Sequence, residues 1–287
     1  MRNEKIHNIL ICGGSSFVAQ GFKELLEKQG YHVDTFSRGS NSSVCGQYVD
    51  IDQNKGLAAQ YDTVVNFAVL KDDTVENNVL YTKSLIKMCR EHGVKKLIHF
   101  STIMNYAYDE KLVSEKTPIE NLAKTDKKGY AEIKIAVDEY LLSVKETLPF
   151  ELVLVRPGYV LADNRPCPFI KRLPLGFSII KGNKKSKQPI VKRNEIHQAL
   201  LKIIETENND EVYHFFPNNG MTKYRYAKET VGGVVLTLPK WLFKGLPALF
   251  CRMGIIPKSL YSRFAGMYIE SDFSSKLTEE KLKIRFS

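Results

Sequence analysis

The segment Asn8–Gly30, NILICGGSSFVAQGFKELLEKQG, constrains the fold more than any other part of the chain. Ile9, Leu10 and Ile11 form a short apolar run that ends in Gly13-Gly14, the pattern of a strand entering a tight turn. Phe17, Val18, Phe22, Leu25 and Leu26 then recur at helical spacing, and Gly30 closes the element. A chain that opens strand, turn, helix predicts an alternating α/β fold.

The rest of the first half keeps that alternation. YHVDTF (31–36), YVDI (48–51), TVVNFAV (63–69) and KLIHFS (96–101) read as strands, and VLYTKSLIKMCREHG (79–93) has helical periodicity with a terminal glycine. A longer helix follows from about 130 to 147, ended near Pro149, and then a strand, ELVLVRP (151–157). The expectation is a doubly wound parallel sheet with helices on both faces. After Pro157 the texture changes, as Pro166, Pro168, Pro174 and Pro189 break the chain into short pieces. This divides it into a sheet domain, 1–160, and a smaller cap, 161–287. Segments of about 190–216 rejoin the sheet domain, because IHQALLKIIE (196–205) and EVYHFF (211–216) read as another helix and strand.

Composition narrows the classes of function. A net charge of +10 suits nucleic acid, an anionic membrane surface or an anionic small substrate. The densest basic run, Lys181, Lys184, Lys185, Lys187, Lys192 and Arg193, has no aromatic interleaving and no reading motif, so nucleic acid is not the expected partner. The five cysteines show no C-x-x-C spacing and the six histidines no ligand cluster, which points to reduced thiols and no metal. The first apolar run is only four residues long, too short for a secretion signal, and no run reaches the roughly 18 apolar residues of a spanning helix. The expected location is the cytoplasm. The tail LPKWLFKGLPALFCRMGIIP (238–257) is apolar and basic, and reads either as a peripheral membrane contact or as cap-domain core.

In a doubly wound sheet the first strand-to-helix turn is where a dinucleotide pyrophosphate binds, and Gly13-Gly14 stand there. A carboxylate at the tip of the second strand would hold the ribose hydroxyls of NAD. The sequence has Ser37-Arg38-Gly39 instead, with Asp34 three residues early. If a dinucleotide binds, NADP(H) is favoured over NAD(H); the alternative is an arginine solvated in a loop.

GYAEIKIAVDEYLL (129–142) places a second candidate. Ile133, Val137, Tyr140, Leu141, Val144 and Leu148 form one apolar stripe, with Tyr130 in its middle and Lys134 at its edge. A phenol near pKa 10 is a poor acid/base at neutral pH, and a cation one turn away lowers it toward the working range. That pair suits proton exchange with an alcohol or ketone oxygen during hydride transfer. The ordinary alternative is a packed tyrosine beside a snorkelling lysine.

The order of these motifs resembles that of an extended short-chain dehydrogenase/reductase of the NAD-dependent epimerase/dehydratase family, a Rossmann fold whose members mostly act on nucleotide-activated sugars. Cys12–Ala19 occupies the family's glycine turn, and Asp50-Ile51 resembles the pair that contacts adenine. Asn66-Phe67-Ala68-Val69-Leu70-Lys71 matches the segment that passes along the cofactor. Asn77-Asn78-Val79 with Thr82 resembles a helix start of the family, and Phe100-Ser101-Thr102 falls where the catalytic serine or threonine is delivered. Aligned with the following Tyr106, the candidate is Thr102. Tyr130 and Lys134 follow, and Arg156-Pro157-Gly158 stands for the turn facing the nicotinamide.

The resemblance thus implies Thr102, Tyr130 and Lys134 as catalytic residues. It implies Gly13, Ser16, Phe17, Val18, Arg38, Asp50, Ile51, Phe67, Ala68, Val69, Lys71, Tyr130, Lys134 and Pro157 as cofactor contacts. It also implies a nucleotide-diphosphate sugar as substrate, a cap that helps bind it and a homodimer. One departure stands out: the family's three glycines have become Gly13, Ser16 and Ala19. Ile103-Met104 replace the Asp-Glu pair of a dehydratase. The expected activity is reduction of a keto-sugar, with epimerisation on bound NAD and a non-catalytic NADP sensor or scaffold as alternatives.

Overall fold

Seven strands form one parallel sheet, in the order Val212–Phe215, Glu151–Pro157, Lys96–Phe100, Thr63–Asn66, Asn8–Cys12, His32–Ser37 and Val44–Cys45. The computed structural model describes residues 7–58, 60–107, 110–125, 127–161, 170–180, 184–185, 187, 189–207, 211–218, 220–237, 239, 241–257, 260–261 and 271–287. The sheet strands are β1 (Asn8–Cys12), β2 (His32–Ser37), β3 (Val44–Cys45), β4 (Thr63–Asn66), β5 (Lys96–Phe100), β7 (Glu151–Pro157) and β12 (Val212–Phe215). β4 and β5 are buried at every position, as expected of parallel strands covered on both faces.

Alternate side chains serve the two faces. Leu10, Cys12, Val64, Leu97, Leu152 and Leu154 pack with Tyr81, Leu85 and Ile86 of helix α2 (Val75–Glu91) and with Val137 and Leu141 of α3 (Tyr130–Val144). Ile9, Ile11, Val65, Ile98 and Val153, fully buried, point the other way. There α1 (Phe22–Lys28) and α4 (Arg193–Glu205) pack together, with Phe22 against His197 at 5.1 Å between rings. Register aligns the strand ends: Cys12 lies opposite Phe36 on one side and Asn66 on the other, and Asn66 lies opposite His99.

The chain forms two compact units. The first comprises Met1–Thr102, Glu132–Arg156 and Arg193–Tyr213; the second comprises Ile103–Ala131, Pro157–Lys192 and His214–Ser287. In the second, β10 (Phe177–Ile180) pairs with β9 (Ile170–Arg172) and β13 (Val234–Thr237), β8 (Tyr159–Leu161) with β11 (Ile190–Lys192), and β6 (Leu112–Val113) with β14 (Asp272–Phe273). Ile170, Ile180, Ile190 and Ala227 of helix α5 (Lys223–Val231) form one apolar cluster in it. Helices α6 (Leu246–Arg252) and α7 (Lys276–Leu282) complete it.

Two elements differ from expectation. YVDI is a 3-10 turn, Tyr48–Gln53, because its buried residues, Tyr48 and Ile51, are three apart and sit on one side of such a turn. The third strand is the shorter Val44–Cys45. The first helix begins at Phe22 and not directly after the glycines, because Gly21 takes a left-handed φ of 84° and interrupts helical geometry.

Candidate functional site

At the carboxyl end of β1 the chain turns at Gly13, whose φ is +76°. A Cβ there would lie 2.7 Å from the Ala68 nitrogen, so the turn and the segment after β4 touch backbone to backbone. Gly14 has no such restriction, since its Cβ would meet Thr35 Cγ2 at 3.4 Å. Ser16 N–H donates to Gly13 O at 2.9 Å, and Ala19 N–H to Ser16 O at 3.0 Å, which continues the turn through residues 16–20.

Residues 67–70 are held by two buried asparagines. Asn66 Oδ1 accepts from Ala68 N–H (3.0 Å) and from the Tyr81 hydroxyl (2.8 Å). Its amide therefore donates to His99 Nδ1 at 3.1 Å, leaving the imidazole proton on Nε2. Asn78 Oδ1 accepts from Leu70 N–H at 2.9 Å, while its amide donates to Leu70 O and Thr74 O. Phe67 and Ala68 are buried, Val69 is half-buried and Lys71 exposed.

Beside the turn lies a cavity of about 690 Å³ lined by Gly14, Ser15, Ala19, Lys23, Arg38 and Tyr48, among others. That volume is in the range of small-molecule and cofactor sites. Arg38 is exposed at the tip of β2, its guanidinium 6.0 Å from the Tyr48 ring centre. The loop beyond it folds back on hydroxyls: Gly39 N–H donates to Ser37 Oγ at 3.2 Å, and Ser43 N–H to Thr35 Oγ1 at 3.0 Å. Asp34 instead receives the Tyr61 hydroxyl at 3.0 Å. Asp50 is exposed in the 3-10 turn, and Ile51 is fully buried in the sheet core.

Lys134 is a strongly perturbed group of the first unit. It is 3% exposed, and its Nζ donates to Phe100 O at 2.5 Å, two residues before Thr102. Burial is the main cause that lowers its pKa to about 8; Asp138 opposes the shift and Lys71 adds to it. Asp138 is itself buried and accepts from Arg156 Nε at 3.0 Å. His99 is held neutral, well below its usual pKa, by burial and then by the Lys134 charge. Thr102 is buried directly after β5.

Within the second unit, Tyr130 opens α3 and is 37% exposed, so the phenol is accessible rather than sealed in an apolar stripe. Lys127, buried just before it, donates to Met104 O at 2.7 Å and to Tyr106 O, and pairs with Glu120 at 2.6 Å. The Tyr106 hydroxyl meets His214 Nε2 at 2.6 Å. Pro157 ends β7, followed by Gly158, where a Cβ would come within 2.1 Å of Pro189 O. Of the basic run, Lys181 lies outside the described residues. Lys187 pairs with Asp272 at 3.2 Å, and Lys192 reaches Ser287 Oγ at 3.0 Å.

Three side chains with site-like geometry were not marked by sequence pattern, His99, Lys127 and His197, and Arg193 was marked only as the end of the basic run. The only signal for His197 is a polar residue within the apolar pattern of α4. The partners of Arg193 and His197 lie more than 170 residues away along the chain, beyond the reach of local spacing.

A seven-stranded parallel sheet flanked by helices, with a glycine turn after β1, defines a Rossmann-type protein of the short-chain dehydrogenase/reductase kind. The profile of the NAD dependent epimerase/dehydratase family matches residues 9–176, more than half of the chain, and the protein belongs to that family. Its members are NAD(P)-dependent enzymes of the extended short-chain dehydrogenase type. A UDP-glucose 4-epimerase from Halalkalibacterium halodurans is 28% identical over 169 residues, 52% of this chain and 49% of that protein, so the match spans about half of the relative's length. Among solved structures, the UDP-N-acetylglucosamine 4-epimerase from Bacillus cereus superposes with a TM-score of 0.69 at 14% identity, covering 98% of this chain and 94% of the other. The human epimerase family protein SDR39U1, solved with NADPH, gives 0.69 at 18% identity, covering 98% and 95%.

Proposed function

We propose that the protein is a reductase of a nucleotide-activated keto-sugar that uses NADP(H) in preference to NAD(H). The observation that carries this reading is Lys134, a cation buried against Phe100 O one helical turn after an accessible Tyr130. The cavity beside Arg38, with no carboxylate at the tip of β2, supports the cofactor preference. In this reading residues 1–160 hold the dinucleotide through Gly13, Ser16, Phe17, Val18, Arg38, Asp50, Ile51, Phe67, Ala68, Val69, Lys71 and Pro157. Residues 161–287 cap the sugar nucleotide. Bound nicotinamide supplies the hydride. Thr102 orients the substrate oxygen by a hydrogen bond, and the Tyr130 hydroxyl gives that oxygen its proton. Lys134 holds the ribose and favours the phenolate that remains.

The protein acts in the cytoplasm as a homodimer, for which Leu80 of α2 and Leu142 of α3 offer exposed apolar side chains. The 238–257 segment makes a peripheral membrane contact. Trp241, Leu249, Met253 and Ile255 are each more than half exposed, and Pro247 is the only buried residue among the described side chains of 241–257. Between Val231 and Ile269 the sequence has Lys240, Lys244, Arg252, Lys258 and Arg263 and no acid, a charge pattern suited to an anionic bilayer.

The test is turnover of NADPH with a panel of nucleotide-diphosphate keto-sugars, followed by nicotinamide absorbance. Tyr130→Phe should lower kcat about a hundredfold or more without loss of NADPH binding; full turnover by that variant would sink the proton-transfer role. The epimerase relative favours a second reading, in which the purified protein retains NAD and interconverts sugar epimers with no net cofactor consumption. Binding of NADPH without turnover of any sugar would instead mark a sensor.

A further inference from the structure

An uninterrupted helix through residues 17–22 would satisfy Phe17 O with the Gly21 N–H and Val18 O with the Phe22 N–H. Here that pattern is broken. Gly21 is left-handed, Phe22 N–H donates instead to Ala19 O at 2.9 Å, and regular helix starts only at Phe22. The two carbonyls, on half-buried residues, are left to other donors.

Helix α4 provides them from one face, at positions four apart. Arg193 Nη1 donates to Phe17 O at 3.3 Å and to Gln20 Oε1 at 3.2 Å, with its guanidinium 5.3 Å from the Phe17 ring centre. His197 Nε2 lies 2.7 Å from Val18 O. A carbonyl only accepts, so the imidazole carries a proton on Nε2. His197 is 7% exposed and also packs on Phe22, the first residue of α1.

We infer that Arg193 and His197 are positioning residues for the dinucleotide: they hold the 16–20 turn separate from α1 and thereby set cofactor affinity. The inference rests on the dinucleotide reading proposed above. It also accounts for the two lost glycines. With Ser16 and Ala19 in the turn and the helix start displaced, the loop is shaped from the side by α4, and the Arg193 cation stands beside it.

The experiment is a fluorescence titration with NADPH of the whole protein, together with hydrogen exchange of the 16–21 amides without cofactor. His197→Ala should raise the NADPH Kd about tenfold, the worth of one hydrogen bond, and speed exchange of those amides. Its kcat at saturating cofactor should stay within about twofold of the parent. His197→Gln, which keeps an N–H donor, should recover most of the affinity, and Arg193→Ala should weaken binding by a similar factor. If His197→Ala does not fold, the Gln variant and Arg193→Ala carry the test. Unchanged Kd values in folded variants overturn the inference, and so does a Gln variant as weak as Ala. A parent protein that binds no dinucleotide at all is a different result: it removes the proposed function, and this inference with it.

Discussion

In the proposed mechanism, the protonation of Lys134 carries opposite consequences for activity and for stability. Its pKa of about 8 lies below the ordinary 10.5, chiefly because burial disfavours the charged form. The working ammonium is present below about pH 8 and discharged above it, so turnover should fall about tenfold per pH unit on the alkaline side. Folding responds the other way. Between about pH 8 and 10.5 the unfolded chain binds the proton that the folded one has released, so this residue makes stability rise with pH there. Rate profiles and urea melts across that range check both signs, and a rate flat through about pH 9 would rule out the ammonium as the working form. At Gly13, Ala would have to adopt φ +76° with its Cβ 2.7 Å from Ala68 N. Gly13→Ala should cost about 2–4 kcal/mol, and Gly14→Ala less than about 1 kcal/mol. Equal denaturation midpoints for the two variants would contradict this account of the turn.

Among elements, the β4–α2 connection shows how a loop is kept in place without regular structure. Asn78 satisfies both backbone groups of Leu70 out of contact with water, and also the half-buried carbonyl of Thr74, the N-cap of its own helix. Asn78→Ala leaves those groups unpaired and should destabilise the fold by roughly 2–4 kcal/mol, read from the urea midpoint. A loss below about 0.5 kcal/mol would mean that the loop finds other partners. The periodicity of 79–93 signals α2, and the family resemblance adds a start at Asn77-Asn78-Val79, whereas the helix begins at Val75. YVDI reads as a strand in sequence, since a short stretch of mostly apolar, β-favouring residues fits a strand as well as a 3-10 turn. The helix after the glycines was placed early for a related reason. Apolar spacing extends back to Phe17, and nothing local says that Gly21 will be left-handed.

For the whole molecule, the 241–257 segment divides two readings that composition left open. Core packing would bury its large apolar residues, and the structure leaves Trp241, Leu249, Met253 and Ile255 exposed. Trp241 is the chain's one tryptophan, so emission excited at the red edge, where the tyrosines do not absorb, reports on this segment alone. Its emission should shift to the blue on mixing with vesicles rich in anionic lipid and stay unchanged with neutral ones. A spectrum indifferent to both removes the membrane contact and leaves a protein partner for the same face. No helix among the described residues is long and apolar enough to cross a membrane.

The alternation of strand and helix, the glycine turn and the Tyr130–Lys134 spacing were legible in sequence because each is set by residues within a few positions of one another. What they do depends on contacts across the chain. Burial against Phe100 O shifts Lys134, Asn66 and Asn78 hold the segment after β4, and Arg193 and His197 complete a turn more than 170 residues earlier. Local pattern determines which elements form. Desolvation and hydrogen bonds between distant segments exist only once the chain has folded, and they decided the protonation and shape of the site.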